Sequence, residues 1–298
     1  DAFTIYKDLD DTDSIANTLM RLGVLLLKER KLDDAENHLK KALEIHSGKG
    51  RRHGEADDLK TIGIVHWARN EFETAKTYCE RALSVAREIG DRREEAGILS
   101  NLAVILDSMN DLRGAAALYD QIIRMHREMG DRLFEALTLN NYAYAIFDLG
   151  QIDTARRVFE ESLAILEELS IVPHLPRPLR GLAMIARQAF GDPDAAERYL
   201  ARIDSLDAQR IDPILLLSVR IERAHIALFR NQSARTECDA IRKDARAMGL
   251  ETDPSLREEL GDLEKSVKLF ENGGTLFRGN APETIPVDLM NRLQEPEI

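Results

Sequence analysis

The sequence is poor in several residue types, and each shortage excludes something. Cysteine occurs twice in 298 residues, at Cys79 and Cys238. Two cysteines cannot build a disulfide framework, so the chain is expected in a reducing compartment, the cytoplasm. Aromatics are only 5%, and there are 17 glycines and 9 prolines. That composition speaks against a turn-rich sandwich or barrel and for helices. No apolar run reaches 18 residues, and the N-terminus has neither the basic start nor the apolar stretch of a signal peptide. The first residue is Asp1 rather than Met, as expected of a segment excised from a longer chain. Cationic charge is also in deficit: 41 Lys and Arg against 53 Asp and Glu give a net charge of −12. Such a balance disfavours nucleic acid or an anionic membrane as partner. What remains is 44% hydrophobic and 32% charged, enough apolar material for a substantial core. Length alone suggests about two domains of roughly 150 residues, a rule that fails for repeats.

The chain does repeat. Gly23, Gly63, Ala103, Ala143 and Ala183 are spaced by 40 residues. The same shift carries Ala35 to Ala75, Ala115, Ala155 and Ala195, and Leu19 to Leu59, Leu99, Leu139 and Leu179. It also carries Leu39 to Cys79, Tyr119, Phe159 and Tyr199, a column of larger apolar residues. Within a copy the apolar positions fall at helical spacing on two stretches. Short turns at Arg69-Asn70-Glu71-Phe72, Met109-Asn110-Asp111-Leu112 and Leu149-Gly150-Gln151-Ile152 separate them. Each copy therefore reads as a hairpin, helix A then helix B, whose small residues let the two axes approach.

These columns resemble the tetratricopeptide repeat, most clearly in copies two to four. The family's usual period is about 34, so a spacing of 40 implies longer helices, similar to those of kinesin light chains, of Leu-Gly-Asn repeat adaptors and of bacterial signalling proteins. The junctions Gly90-Asp91-Arg92-Arg93-Glu94-Glu95 and Gly130-Asp131-Arg132-Leu133-Phe134-Glu135 resemble the links of that subgroup. The resemblance implies an all-α fold, a right-handed superhelix (solenoid) of about six hairpins. Repeats are expected at about 14–53, 54–93, 94–133, 134–173, 177–211 and 213–250, with a polar capping helix at 254–270. All of 1–272 is expected to form one continuous domain, and 273–298, rich in glycine and proline, a tail or linker in which Ile285 to Met290 is apolar enough to dock.

At the junctions, glycines suit the left-handed residue that ends helix B, and Asp91 and Asp131 suit the cap of the next helix A. The columns Arg52/Arg92/Arg132 and Glu55/Glu95/Glu135 read as a ladder of exposed ion pairs. Gly191-Asp192-Pro193 is a strong stop-and-start signal. In copy six, helix A aligns at Ala224 and helix B at Ala234, which shortens the connection by two residues. Cys79 and Cys238 share a repeat position and read as packing residues.

Chemistry is sparse. Gly48-Lys49-Gly50 lacks the spacing of a phosphate loop and aligns with a repeat junction. Asp8, Asp10, Asp11 and Asp13 lack the glycine and glutamate a calcium loop needs, and read as helix-capping acids. No histidine or cysteine pairs at metal spacing, and no nucleophile elbow occurs. No cofactor, metal or catalytic residue is assigned, and the chain is not expected to be an enzyme.

The resemblance assigns binding to the concave face lined by A helices. Carried over position by position, it puts Lys60, Ile64 and Trp67 there, then Asn101 and Val104, then Asn140, Asn141, Tyr144 and Phe147, then Arg180 and Met184. Asn101 and Asn141 match an asparagine that long-repeat relatives set against a ligand backbone. The apolar column Ile64/Val104/Tyr144 departs from the chaperone-binding branch, which needs an asparagine there. Each aromatic also suits packing between neighbouring A helices. The expected function is a scaffold for a protein or peptide segment, with self-association through the solenoid ends or tail as a further possibility. An alternative is the effector- or peptide-sensing segment of a larger bacterial transcriptional regulator or signalling ATPase.

Overall fold

The computed structural model describes residues 12–250 and 253–272. The expected tail at 273–298 and the acids Asp8, Asp10 and Asp11 lie outside the described residues. Among those described, every regular element is helical: α1 (Thr12–Lys28), α2 (Leu32–Gly48), α3 (Arg52–Ala68), α4 (Phe72–Ile89), α5 (Arg92–Ser108), α6 (Leu112–Met129), α7 (Arg132–Asp148), α8 (Ile152–Glu168), α9 (Pro176–Gln188), α10 (Pro193–Asp204), α11 (Pro213–Phe229), α12 (Arg235–Ala247) and α13 (Pro254–Glu271). Short 3-10 turns occupy Val172–His174 and Ala208–Arg210. By packing the chain divides into two compact units, Asp1–Met125 and His126–Ile298.

The register holds to the residue. Helix A begins at Thr12, Arg52, Arg92 and Arg132, and helix B at Leu32, Phe72, Leu112 and Ile152. The cause is a hydrogen-bonded stop that recurs every 20 residues. The amide of Lys31 donates to Leu26 O, and the same bond recurs from Arg51 to His46, Glu71 to His66, Asp91 to Ala86 and Asp111 to Leu106, then from Asp131, Gln151 and Ile171. This six-to-one bond forces the residue before it into the left-handed region. Glycine supplies it at Gly50, Gly90, Gly130 and Gly150, but Arg30, Asn70, Asn110 and Ser170 occupy the same position with φ of 59°, 62°, 62° and 57°. Ser170 is exposed, so Ser170→Gly is expected to stabilise unit 2 by about 0.5–1 kcal/mol in denaturant unfolding, because glycine carries no Cβ penalty there.

The small column does what its residue type requires. A Cβ on Gly23 would lie 2.6 Å from Leu39 Cγ, and one on Gly63 would lie 2.6 Å from Cys79 Sγ and 3.2 Å from Ala75 O. Helices α1–α2 and α3–α4 therefore meet with backbone against side chain. In unit 2 the same device sets Gly181 of α9 against the Phe159 ring, which also meets the Tyr144 ring edge-to-face with centroids 4.8 Å apart. Both cysteines are buried, and burial pushes the Cys79 thiol up to about 12, consistent with packing.

Three local expectations need correction. Asp91 caps α5 by accepting from Glu94 N at 2.9 Å, whereas Asp131 makes no side-chain cap bond. The connection from α11 to α12 is longer than in other copies, 230–234 against 69–71, because α12 lacks its first turn and Ala234 stands at its N-cap. The glutamate column is not a solvated ladder. Glu135 is buried and accepts from Arg127 and Arg132, each at 2.6 Å. Glu95 accepts from Arg87 at 2.8 Å and Glu55 from Arg52 at 2.8 Å, both with carboxylates largely shielded. Glu95 and Glu135 tie the end of one hairpin to the start of the next, whereas Glu55 pairs within α3.

Candidate functional site

The assigned lining positions lie on helix A faces. In unit 1, Lys60, Ile64 and Trp67 occur at i, i+4 and i+7, so they share one stripe of α3. Two bonds tie that stripe to α5. Lys60 Nζ lies 2.8 Å from Glu94 Oε1 and 3.0 Å from Asp57 Oδ1. Burial opposes the charge on Lys60, but the two carboxylates outweigh it and hold the ammonium above its ordinary range. One turn further on, Trp67 Nε1 donates to Ser108 Oγ at 2.8 Å, and that hydroxyl donates to Val104 O at 2.8 Å. Trp67 is 7% exposed and Val104 1%. Both therefore pack α3 against α5 and present little surface. Asn101 is also nearly buried. Of this set Ile64 and the stem of Lys60 remain partly accessible.

In unit 2 the pattern recurs with other residues. Phe147 and Tyr144 of α7 are buried, Tyr144 against Phe159. Asn140 is buried too, and its Nδ2 donates to Asn141 Oδ1 at 3.4 Å. Asn141 is half-buried. On α9, Arg180 donates from Nη1 to Glu259 Oε1 of α13 at 2.7 Å. One stripe position later Arg187 grips Glu222 of α11 in two bonds of 2.6 and 3.0 Å. Met184, between the two arginines, is half-buried.

The positions fall on helix A rows, and three of them, Lys60, Trp67 and Arg180, are already paired across helices. The partners Glu94, Glu222 and Glu259 were not legible as site residues. Lys60 pairs with a residue 34 positions on and Arg180 with one 79 positions on, beyond any spacing a single helix imposes. Lys60, held between two carboxylates, and the half-buried Ser108 hydroxyl, bonded to backbone, are engaged in packing the helices. Among the described residues no group of three or more His, Cys, Asp or Glu side chains is placed to hold a metal ion.

Three stretches of the chain, residues 14–78, 59–128 and 134–203, match the tetratricopeptide repeat. Together they cover more than half of it. The chain belongs to the tetratricopeptide repeat family. No curated protein matches it significantly in sequence. Solved tetratricopeptide structures match its fold. A Rap protein complexed with competence and sporulation factor superposes with a TM-score of 0.68 at 17% identity, over 88% of this chain and 73% of that one. Aspartyl phosphate phosphatase F from Bacillus subtilis gives 0.69 at 16% identity, over 90% and 73%. A signal transduction ATPase with numerous domains from Pyrococcus horikoshii, which carries a tetratricopeptide repeat sensor, gives 0.62 at 16% identity. That match spans 87% of this chain and 39% of the ATPase. At such identities the likeness is one of fold. The tetratricopeptide fold serves generally as an interaction scaffold, and no described helix here is long and apolar enough to cross a membrane.

Proposed function

We propose that this tetratricopeptide chain is a non-catalytic scaffold that holds a protein or peptide segment against its helix A faces. One observation carries the reading. Lys60, Trp67 and Arg187 on those faces are tied to neighbouring helices, while Ile64 in unit 1 and Met184 in unit 2 stay half-open beside them. A face locked in this way loses little side-chain entropy when a ligand arrives. It also offers apolar contact flanked by hydrogen-bonding groups, the composition that suits a peptide segment. Asn141, half-open beside Tyr144, supplies both a donor and an acceptor for a ligand backbone.

The test is recovery of partners by the intact chain and by point variants. Ile64→Glu and Met184→Glu are expected to lose the bound partner, and Arg157→Glu on the exposed side of α8 to keep it. Equal recovery from all three would remove the helix A faces from the account.

The second reading is a sensor segment of a larger regulator. It is supported by the tetratricopeptide repeat sensor of the Pyrococcus ATPase and by the competence and sporulation factor complexed with the Rap protein. A helix-turn-helix or nucleotide-binding domain encoded beside this segment would favour it.

A further inference from the structure

In unit 1, Trp67 of α3 donates its indole N–H to Ser108 of α5. A shift of 80 residues carries this pair to Phe147 of α7 and Gln188 of α9, both in unit 2. Phe147 keeps the buried ring of its column but has no N–H to give. Gln188 keeps a polar group in the other column. Among the described residues neither its Nε2 nor its Oε1 has a hydrogen-bond partner, although both atoms are shielded from solvent. A carboxamide in that state has lost its water and gained nothing in exchange. Donor and acceptor both remain unmet.

Gln188 follows the half-open Met184 by one turn on the same stripe of α9. Its chain neighbour Arg187 reaches α11 through two bonds to Glu222, and His225 follows Glu222 by one turn. His225 is half-buried and forms no hydrogen bond among the described residues. Burial, with Arg187 beside it, pushes its imidazole down to about 4 against the opposing pull of Glu222 and Asp262, so the ring is neutral at pH 7. The charges nearby are already matched, Arg187 by Glu222 and Arg180 by Glu259. A charged ligand group would have to break a buried pair. A peptide bond breaks none, and it brings the one donor and one acceptor that a carboxamide complements. We propose that Gln188 takes a main-chain amide of an extended, uncharged peptide segment, with His225 as a second neutral contact. This rests on the scaffold reading of the unit 2 helix A face and names the chemical group that the face recognises. Gln188 is half-buried as a residue, so rotation of its stem turns the amide to the ligand. The amide is desolvated before the ligand arrives, and its new bonds form at little further cost.

The test uses the full chain. The probe is a library of N-acetylated, C-amidated nonapeptides of uncharged, acidic and basic composition. The chain is expected to retain uncharged peptides best. Gln188→Leu should weaken the best of them about tenfold without lowering the denaturant midpoint, because it removes an unpaired buried amide. An amide-to-ester replacement at one position of that peptide should weaken binding to the natural chain about tenfold and to Gln188→Leu by less than about twofold. A lower midpoint for Gln188→Leu would show that the amide is already bonded in the free protein and would overturn the proposal. Full affinity of that variant, or preferred retention of charged peptides, would overturn it too. With binding still lost in Met184→Glu, those results leave the scaffold reading standing. Retention of no peptide class, or equal binding by Met184→Glu and the natural chain, would overturn both.

Discussion

Trp67→Ala is expected to destabilise unit 1 by about 3–5 kcal/mol, the range for deleting a large buried aromatic. The indole is 7% exposed, spans from α3 to α5, and has its N–H satisfied by Ser108. Truncation removes that contact and opens a cavity between two A helices. Denaturant unfolding followed by far-ultraviolet circular dichroism measures it, since Trp67 is the chain's single tryptophan and its fluorescence disappears with the substitution. Ser108→Ala isolates the hydrogen bond and should cost about 0.5–1.5 kcal/mol. A loss below about 1 kcal/mol for Trp67→Ala would show that the ring is not core and is free to anchor a ligand.

The second large effect lies at the junction of α2 and α3. His46 Nδ1 and Asp58 Oδ2 are 2.7 Å apart, with both residues buried, and Asp58 Oδ1 has no hydrogen-bond partner. The next copy places Ala86 and Ile98 in these columns, so the site accepts apolar residues. His46→Ala alone should cost about 3–5 kcal/mol, because it strands a buried carboxylate. His46→Leu with Asp58→Val should instead be neutral or up to about 4 kcal/mol more stable than the natural pair. Destabilisation of the double variant by as much as the single would contradict this.

A pH dependence follows. Burial, partly offset by His46, pushes the Asp58 carboxyl from 3.8 up to about 6. The folded state therefore binds this proton more tightly than the unfolded state. The carboxylate costs stability above pH 6, and the cost is relieved as pH falls from about 6 towards 4. Relative to Asp58→Asn, the natural chain should gain roughly 2 kcal/mol between pH 7 and 4.5. A flat difference across that window would refute the assignment.

Much of the fold was legible because the repeat writes the same physical demand at fixed intervals. Small residues at Gly23 and Gly63 mark where helix axes meet, and each predicted turn overlaps the observed one, running one residue into the helix that follows. The left-handed residues were only half visible. Gly90 and Gly130 announce themselves, but at Arg30 and Ser170 the six-to-one bond imposes the conformation on side chains that do not favour it. The candidate site was legible as a stripe and not as a surface. A helical register identifies which residues share a face of α3. It does not say how closely α5 approaches, and that distance turns Trp67 from an anchor into core. The ion pairs failed for a related reason. Glu135 looks like any surface glutamate in sequence, yet two arginines from different helices converge on it and bury it.

The most direct test of the account is photo-crosslinking from single positions of the full chain. A benzophenone side chain is placed at Ile64 or Met184 on the helix A rows, and at Lys76 or Arg157 on helix B as controls. The scaffold reading predicts capture of a partner segment from position 64, from position 184 or from each, and none from 76 or 157. Capture of that partner from the helix B positions alone would contradict it.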